Sequence, residues 1–444
     1  MSHNTQLSFN FKAISHKKVT AGFSGGDVSS DGGVLMVREI AERIGIIDRL
    51  TEVLTDTRHQ SYVQHDYKSL LAQRIYQIVC GYEDADDSDD LRTDPGFKAA
   101  CNRLPSEGHL ASQPTMSRFE NALSSCDVYR IADVLIEQFI SSYATPPKAI
   151  VLDIDDTNDS THGAQQLSLF NGYYDEYCYM PLFIFEGMTG KLITSILRPG
   201  KRPTGKNIRS IIKRVIKRLR SAWPSVGIII RGDSHFATPE LFSWCHKHGV
   251  HYILGLSTNA VLKTLAQSAL AAARIDYEKS GKKSRVFRQF RYQAHSWHKE
   301  HRVIVMAEVS SLGDNIRFIV TSLDSSRPSF LYETVYCARG RMENFIKDHK
   351  IALKSGRTSC HRFMANCIRL MLHSAAYIIM HALREHALTG TDFANAQFDT
   401  IRLRLLKIGA EVRELKTKLR FILPSCFPLK HVFDRMYQNI VMMR

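Results

Sequence analysis

Ile150-Val-Leu-Asp-Ile-Asp-Asp-Thr157 decides the fold. Ile150, Val151, Leu152 and Ile154 form a short apolar run of the kind that fills a buried strand, and this one ends in acid. The two-residue period of a strand places Val151, Asp153 and Asp155 on one face and turns Asp156 to the other. The pattern recurs in Val226-Gly-Ile-Ile-Ile-Arg-Gly-Asp233, where three isoleucines lead to a strand-end aspartate. A third acid, Glu343, lies in Tyr336-Cys-Ala-Arg-Gly-Arg-Met-Glu-Asn-Phe-Ile-Lys-Asp-His-Lys350, which reads as a helix. Tyr336, Arg339, Glu343 and Lys350 stand at offsets 0, 3, 7 and 14, the spacing of one helical face.

Outward from these runs, Pro146-Pro147 marks a boundary. Strands are expected at 149–155, 177–186 and 191–197, the last two joined through Met188-Thr-Gly190. A helix over 206–220 carries Ile208, Ile212, Val215 and Leu219 at helical spacing. A strand at 226–232, a helix opened by Thr238-Pro239-Glu240 and a strand at 250–256 complete the order β-β-β-α-β-α-β. The expected class is α/β, a ribonuclease-H-like core. Asp233 and Glu343 are 110 positions apart, more than one helix and one strand need, so a β-rich insertion is expected over about 275–325. A long helix over 361–386 follows.

Residues 1–145 read as a mainly helical, DNA-binding region. A strand is expected at 19–23, N-caps at Ser29, Ser30 and Asp31 for a helix reaching Arg43, a helix over 67–79, and a capping box from Ser117 to Glu120. The core is expected over 146–390. Residues 391–444, with the alternating Ile401-Arg-Leu-Arg-Leu-Leu and a final helix, would serve oligomerisation or DNA contact. The acidic run 83–90 is not a calcium loop: counted from Asp84, position six is Asp89 where glycine is required, and position twelve is Pro95.

The charge balance narrows the partner. The chain has 59 Lys and Arg against 44 Asp and Glu, a net charge of +15 over 444 residues, which favours a polyanion. Nine cysteines without a Cys-x-x-Cys pair fit a reducing compartment. The start, Met-Ser-His-Asn-Thr-Gln, lacks a charged region followed by an apolar core, and the apolar stretch 370–383 is short and holds His373 and His381. A cytoplasmic, nucleoid-associated protein with no membrane partner is expected. Between Pro199 and Trp223 lie Lys201, Arg202, Lys206, Arg209, Lys213, Arg214, Lys217, Arg218 and Arg220 with no acid, a face expected to meet DNA backbone. Lys282, Lys283, Arg285, Arg288 and Arg291, with Phe287, Phe290 and Tyr292 between them, make a second basic patch. Cys245-His246-Lys-His248 and Cys360-His361 lack partner pairs at zinc spacing.

Three carboxylates suit hard cations. Mg²⁺, with Mn²⁺ as a substitute, takes oxygen ligands and keeps several waters. Two such ions about 4 Å apart activate the attacking oxygen and stabilise the leaving one in phosphodiester chemistry.

Tyr336-x2-Arg339-x3-Glu343-x6-Lys350 resembles the Tyr-Arg-Glu-Lys signature of bacterial insertion-sequence transposases with an Asp-Asp-Glu core. Val151-Leu-Asp-Ile-Asp-Asp-Thr157 with Thr161-His-Gly163, Arg231-Gly-Asp-Ser-His-Phe236 and Gln113-Pro-Thr-Met-Ser-Arg-Phe-Glu120 resemble, more narrowly, the insertion-sequence thirteen-eighty group. The resemblance spans nearly the whole chain. It implies cutting at terminal inverted repeats and joining of 3′ ends to target DNA, with Mg²⁺, in a synaptic complex built on a homodimer. Asp155, Asp233 and Glu343 would hold metal. Asp155 is preferred because Asp155-Asp-Thr157 matches the strand end of ribonuclease-H-like enzymes, with Asp153 the alternative. Tyr336, Arg339 and Lys350 would contact phosphates, as would Lys201 and Arg202 in the basic face, and Trp297 in the insertion is either a stacking ring for a displaced base or a buried core residue.

Two other readings compete. Asp153-Ile-Asp155-Asp-Thr157 fits the Asp-x-Asp-x-Thr motif of haloacid-dehalogenase-like phosphatases, with Asp153 as nucleophile, but the aspartates after Glu343 are isolated. A catalytically inactive DNA-binding protein is the other, and the presence of all three acids weighs against it.

Overall fold

The computed structural model describes residues 8–201 and 204–443, so Arg202 lies outside the described residues. The chain groups into two compact units: one takes the residues up to Ile47, Asp56–Phe119 and the residues from Ala382 onward, the other takes Asp48–Thr55 and Glu120–His381. These bounds differ from the expected 1–145, 146–390 and 391–444, because the N- and C-terminal segments pack as one unit.

The larger unit is built on an eight-stranded sheet. Its strands are β1 (Ala149–Asp156), β2 (Leu182–Glu186), β3 (Leu192–Ile196), β4 (Gly227–Gly232), β5 (His251–Leu256), β6 (Ser284–Tyr292), β7 (His301–Ser310) and β8 (Gly313–Thr321), in the order β6-β7-β8-β5-β4-β1-β2-β3. Strands β1, β2 and β3 are antiparallel neighbours, whereas β4 lies parallel to β1 and β5 parallel to β4. Helix α1 (Ser125–Ser141) precedes β1. Helix α2 (Gly205–Ala222) joins β3 to β4, and α3 (Pro239–Lys247) joins β4 to β5. The β-β-β-α-β-α-β order is therefore present in full, and each parallel pair has the helical crossover that parallel strands need.

The buried faces explain the arrangement. Ile150, Leu152, Ile154, Ile228 and Ile230 share a core with Ile208, Ile212, Val215 and Leu219 of α2. Thr204 caps α2 by accepting the Asn207 N–H. The 275–325 segment extends this same sheet, with β8 pairing antiparallel to β5 and covering what would otherwise be an open edge.

Several local expectations change. The strand expected at 177–186 breaks at Met180-Pro181 into Glu176–Tyr179 and Leu182–Glu186. Ser117 is no cap, because its helix already begins at Gln113, and Glu120 is buried 3.9 Å from Arg369. In the smaller unit Asp31 does not cap the helix Val34–Ile44, whose N-cap is Gly33. Asp31 is instead buried in an ion pair with Lys407 (2.8 Å) and accepts the Tyr82 hydroxyl. The alternating Ile401–Leu406 run is helical, since Ile401, Leu405 and Leu406 are buried at helical spacing. The strands of the tail, Ala410–Leu415 and Lys418–Ile422, come later and pair with each other, and Ala410–Leu415 also pairs with Val28–Ser29.

Among the described residues one helix, Phe363–Ala387, is long and apolar enough to cross a membrane, but 83% of its most apolar window is buried inside the protein.

Candidate active site

Strand register brings the two aspartates together. Arg231 on β4 lies opposite Asp153 on β1 in the parallel pairing. Two residues further on, Asp155 is still paired with Phe183 of β2 while Asp233 follows the end of β4, and the two lie near enough that Asp233 raises the Asp155 pKa. Asp153, on the same face, faces a different environment. Its carboxylate meets Arg231 in a fork, Nε to Oδ1 at 2.5 Å and Nη2 to Oδ2 at 2.6 Å, and Asp153 is fully buried. Gly187 leaves room for the pair: a Cβ there would lie 2.5 Å from Arg231 Nη2 and 2.6 Å from Asp153 Oδ2. The Arg231 Nη1 donates to the Val335 carbonyl at 2.5 Å, tying the strands to the segment that carries Tyr336. Both oxygens of Asp153 are thus committed to Arg231.

Asp155 has no such complete partner. Arg339 Nη2 lies 2.9 Å from its Oδ1. Burial pushes the Asp155 carboxyl up to about 7; Arg339 pulls it down, while Asp233 and Asp156 push it up further. Asp233 is paired with His235, whose Nδ1 is 2.6 Å from Asp233 Oδ1 and whose Nε2 is 3.0 Å from Asp156 Oδ2. Asp156 also receives Arg198 Nη2 at 2.6 Å. Burial opposes charge on His235, but its hydrogen bonds to Asp156 and Asp233 outweigh burial and raise its pKa to about 9. The imidazolium therefore bridges two strand-end acids, and the Asp156–Arg198 pair anchors it. Sequence reading missed Arg198; the nearest signal is the acid doublet Asp155-Asp156.

The Glu343 helix is less regular than expected. Phe330–Tyr336 is a π turn, Cys337–Arg339 a 3-10 turn, Gly340–Lys347 is α-helix (α4), and Asp348–Ala352 is again a π turn. Even so, Tyr336, Arg339 and Lys350 turn toward the strand end. The Tyr336 hydroxyl lies where a Cβ on Gly255 would meet it at 2.8 Å, and that same Cβ would lie 2.9 Å from the Ser234 nitrogen. Glycine at 255 thus lets the tyrosine approach the Asp233 turn. Lys350 Nζ pairs with buried Asp159 at 3.0 Å and donates to Thr157 Oγ1 at 3.1 Å and to the Asn158 carbonyl. Arg339 and Lys350 thus grip the β1 end on either side of Glu343. Glu343 itself is exposed. Among the described residues no three His, Cys, Asp or Glu side chains converge closely enough to form a metal group, so Glu343 does not meet the aspartates as placed.

The donor chemistry nevertheless suits a divalent cation. Asp155 and Asp233 offer hard carboxylate oxygens at the ends of neighbouring strands, and burial, with Asp233 and Asp156 adding to it, disfavours the charged form of Asp155 in a way that a cation would offset.

Other expected contacts resolve differently. Trp297 is buried, its ring edge-on to Phe242 (5.1 Å), Tyr292 (5.4 Å) and His301 (5.2 Å), so it packs the core and offers no face to a base. Lys201 is exposed. On α2, Arg214 and Arg218 pair with Asp133 and Glu137 of α1, each at 2.9 Å, and Arg220 donates to the His248 carbonyl at 2.6 Å. That leaves Lys206, Lys213 and Lys217 as the exposed cations of the helix. In the second patch, Lys283 and Arg285 share Glu308, and Arg291 pairs with Asp324.

An α/β sheet presenting strand-end aspartates beside a glutamate-bearing helix defines a class, the metal-dependent phosphodiester enzymes of the DDE type. The family model for transposase DDE domain group 1 matches residues 11–444, so the chain belongs to that family: it is a DDE transposase, an enzyme of DNA strand cleavage and transfer. Among solved structures it is similar to piggyBac transposase in a synaptic complex with hairpin DNA, at 12% identity and a TM-score of 0.43 over 93% of this chain and 85% of that one. It is also similar to Mos1 transposase in a paired-end complex with the left transposon end, at 13% identity and a TM-score of 0.18 over 42% of this chain and 61% of that one. No curated protein matches the chain.

Proposed function

We propose that this transposase belongs to the insertion-sequence thirteen-eighty group with a Tyr-Arg-Glu-Lys signature, cuts at the terminal inverted repeats of its element, and joins the 3′ ends to target DNA. The observation that carries the reading is the pair Asp155 and Asp233 at the ends of neighbouring parallel strands, with burial first and the nearby acids after it pushing the Asp155 carboxyl up to about 7. Asp155, Asp233 and Glu343 would hold the divalent ions, Mg²⁺ with Mn²⁺ as substitute. Bound there, the ions would polarise the phosphodiester and activate the attacking oxygen.

The chain's own residues do the rest. His235 holds the Asp233 carboxylate in one orientation, and Asp156 with Arg198 holds His235. Arg339 neutralises Asp155 and is near enough to the strand end to turn to a DNA phosphate. Lys350 fixes the turn after β1 through Asp159. A homodimer would bring two ends together. The phosphatase reading is set aside because its nucleophile, Asp153, is locked to Arg231.

The test is cleavage of DNA carrying the element's own terminal repeats. Wild type should nick at the repeat ends with Mg²⁺ or Mn²⁺, and Glu343→Gln should bind without cutting. Equal cleavage by both would overturn the site; binding without cleavage by both would leave a non-catalytic DNA-binding protein.

A further inference from the structure

Between β1 and β2 the chain leaves the main sheet and builds a small one, ordered Asp159–Ser160, Glu176–Tyr179, Leu169–Asn171. Asp156 pairs with Leu182 at the junction, so this small sheet rises from the same strand end as Asp155. Its tip is a built turn. The Asn171 Oδ1 accepts the Tyr173 N–H at 3.0 Å, the Asn171 carbonyl accepts the N–H of Tyr174 (3.2 Å) and Asp175 (2.9 Å), and Asp175 adopts a left-handed φ of 55°.

What the turn displays is apolar. Tyr173 is 87% exposed, Tyr177 61% and Phe170 50%. Phe170 and Tyr177 meet edge-to-face at 5.6 Å, and Tyr173 meets Tyr174 edge-on at 4.9 Å, so each contact covers at most one face of one ring. A single exposed ring is ordinary, but three within eight residues on a fixed turn form a contact surface. Tyr174, partly buried beneath the tip, has its phenol pushed up to about 12 by burial first, then by Asp156, Tyr173 and Asp155, which puts the tip within electrostatic reach of the strand-end acids.

The flanks of the small sheet are basic. On one side Asn171 Nδ2 donates to the Gly200 carbonyl at 2.8 Å, and a side chain at Gly200 would strike the Leu169 and Cys178 carbonyls. The exposed Lys201 follows directly. On the other side Gln166 N–H donates to the His361 carbonyl (2.9 Å) and Gln165 Nε2 to the Cys360 carbonyl (2.8 Å). These bonds hold the 354–362 loop, with its exposed Lys354 and Arg362, against the hairpin.

We propose that this hairpin is a stacking platform for an unpaired DNA base beside the strand to be cut, with Tyr173, Phe170 and Tyr177 supplying ring faces and Lys201, Lys354 and Arg362 meeting the flanking phosphates. Aromatic faces framed by cations are the chemistry of single-strand binding. A base inside a duplex has both faces covered, so these rings discriminate for an unstacked base. The proposal rests on the transposase reading above.

The test is fluorescence anisotropy with two probes, a blunt duplex and the same duplex carrying a single-stranded thymidine tail. Wild type should bind the tailed probe more tightly by at least about fivefold, the lower end of what one stacked base contributes. Phe170→Ala, Tyr173→Ala and Tyr177→Ala together should erase that preference and leave blunt binding unchanged. Because the triple change could disturb the small sheet, Tyr173→Ala alone, at the most exposed ring, should lose most of the preference with an unaltered melting curve, and Tyr173→Trp should keep it. A tail preference that survives the triple change overturns the platform, as does an equal loss on both probes. Wild type that binds blunt DNA without preferring the tail overturns the platform and leaves the transposase site standing; wild type that binds neither probe overturns both. A change in sedimentation with Tyr173→Ala assigns the surface to a second copy of the chain instead.

Discussion

Asp153 and Asp155 sit two residues apart on the same face of the same strand, and their surroundings could hardly differ more. Asp153 is fully buried and meets a two-pronged guanidinium whose third nitrogen is also used. Asp155 keeps one arginine contact and faces two further acids. A carboxylate whose charge is fully matched holds a fold together. One left partly unmatched is available to a ligand. Strand position alone does not separate these roles; the second partner does.

The largest effects come from breaking each side of that contrast separately. Asp155→Asn should abolish cleavage, a loss of at least about a thousandfold, since metal stabilisation of the reaction amounts to several kcal/mol. Its urea midpoint should stay level or rise, because a carboxylate whose charge is disfavoured by burial, and then by Asp233 and Asp156, has been neutralised. Asp153→Asn should behave in the opposite sense, losing about 3–5 kcal/mol of stability by leaving Arg231 buried without its partner. Urea unfolding of both variants, with cleavage assays on whatever remains folded, decides the matter. If Asp153→Asn melts like wild type, the structural role given to that pair is wrong.

A smaller effect sharpens the contrast on the Asp233 side. His235→Ala removes the bridge from Asp156 to Asp233 without removing an acid. Partners that orient metal ligands contribute about 10- to 100-fold in metal affinity or activity, so cleavage should fall by that much and recover in part at high Mn²⁺. The double variant with Asp156→Asn should be no worse than the worse single change, because both cut one chain of contacts. Additive losses would show that Asp156 acts independently of His235.

The sheet was legible because buried strands write themselves as aliphatic runs, and the two strand-end aspartates followed from where those runs stop. The helix face was legible as spacing, even though π and 3-10 turns replace part of the regular helix. What sequence hid was pairing at long range. Nothing local in Ile150–Thr157 shows that Arg231 belongs to Asp153 or that Arg198 belongs to Asp156. Trp297 shows the same limit, since its neighbours Phe242 and His301 lie 55 positions before it and 4 after it. The alternation at 401–406 misled because two-residue and four-residue periods overlap over so short a run.

The smallest expected effect tests that limit on the basic helix α2, where seven same-sign residues from Lys206 to Arg220 look alike in sequence. Arg214 and Arg218 are occupied by Asp133 and Glu137 at a partly exposed surface, a contact that contributes about 0–1 kcal/mol each. Lys206, Lys213 and Lys217 are exposed. If these lysines meet DNA backbone, changing all three to Gln should flatten the salt dependence of duplex binding by about one unit of slope per lost phosphate contact, with stability unchanged. Arg214→Gln should leave the slope where it was and shift the urea midpoint slightly. The reverse result, a slope that follows Arg214 and ignores the lysines, would mean that the Arg214–Asp133 pair opens to let the arginine reach DNA.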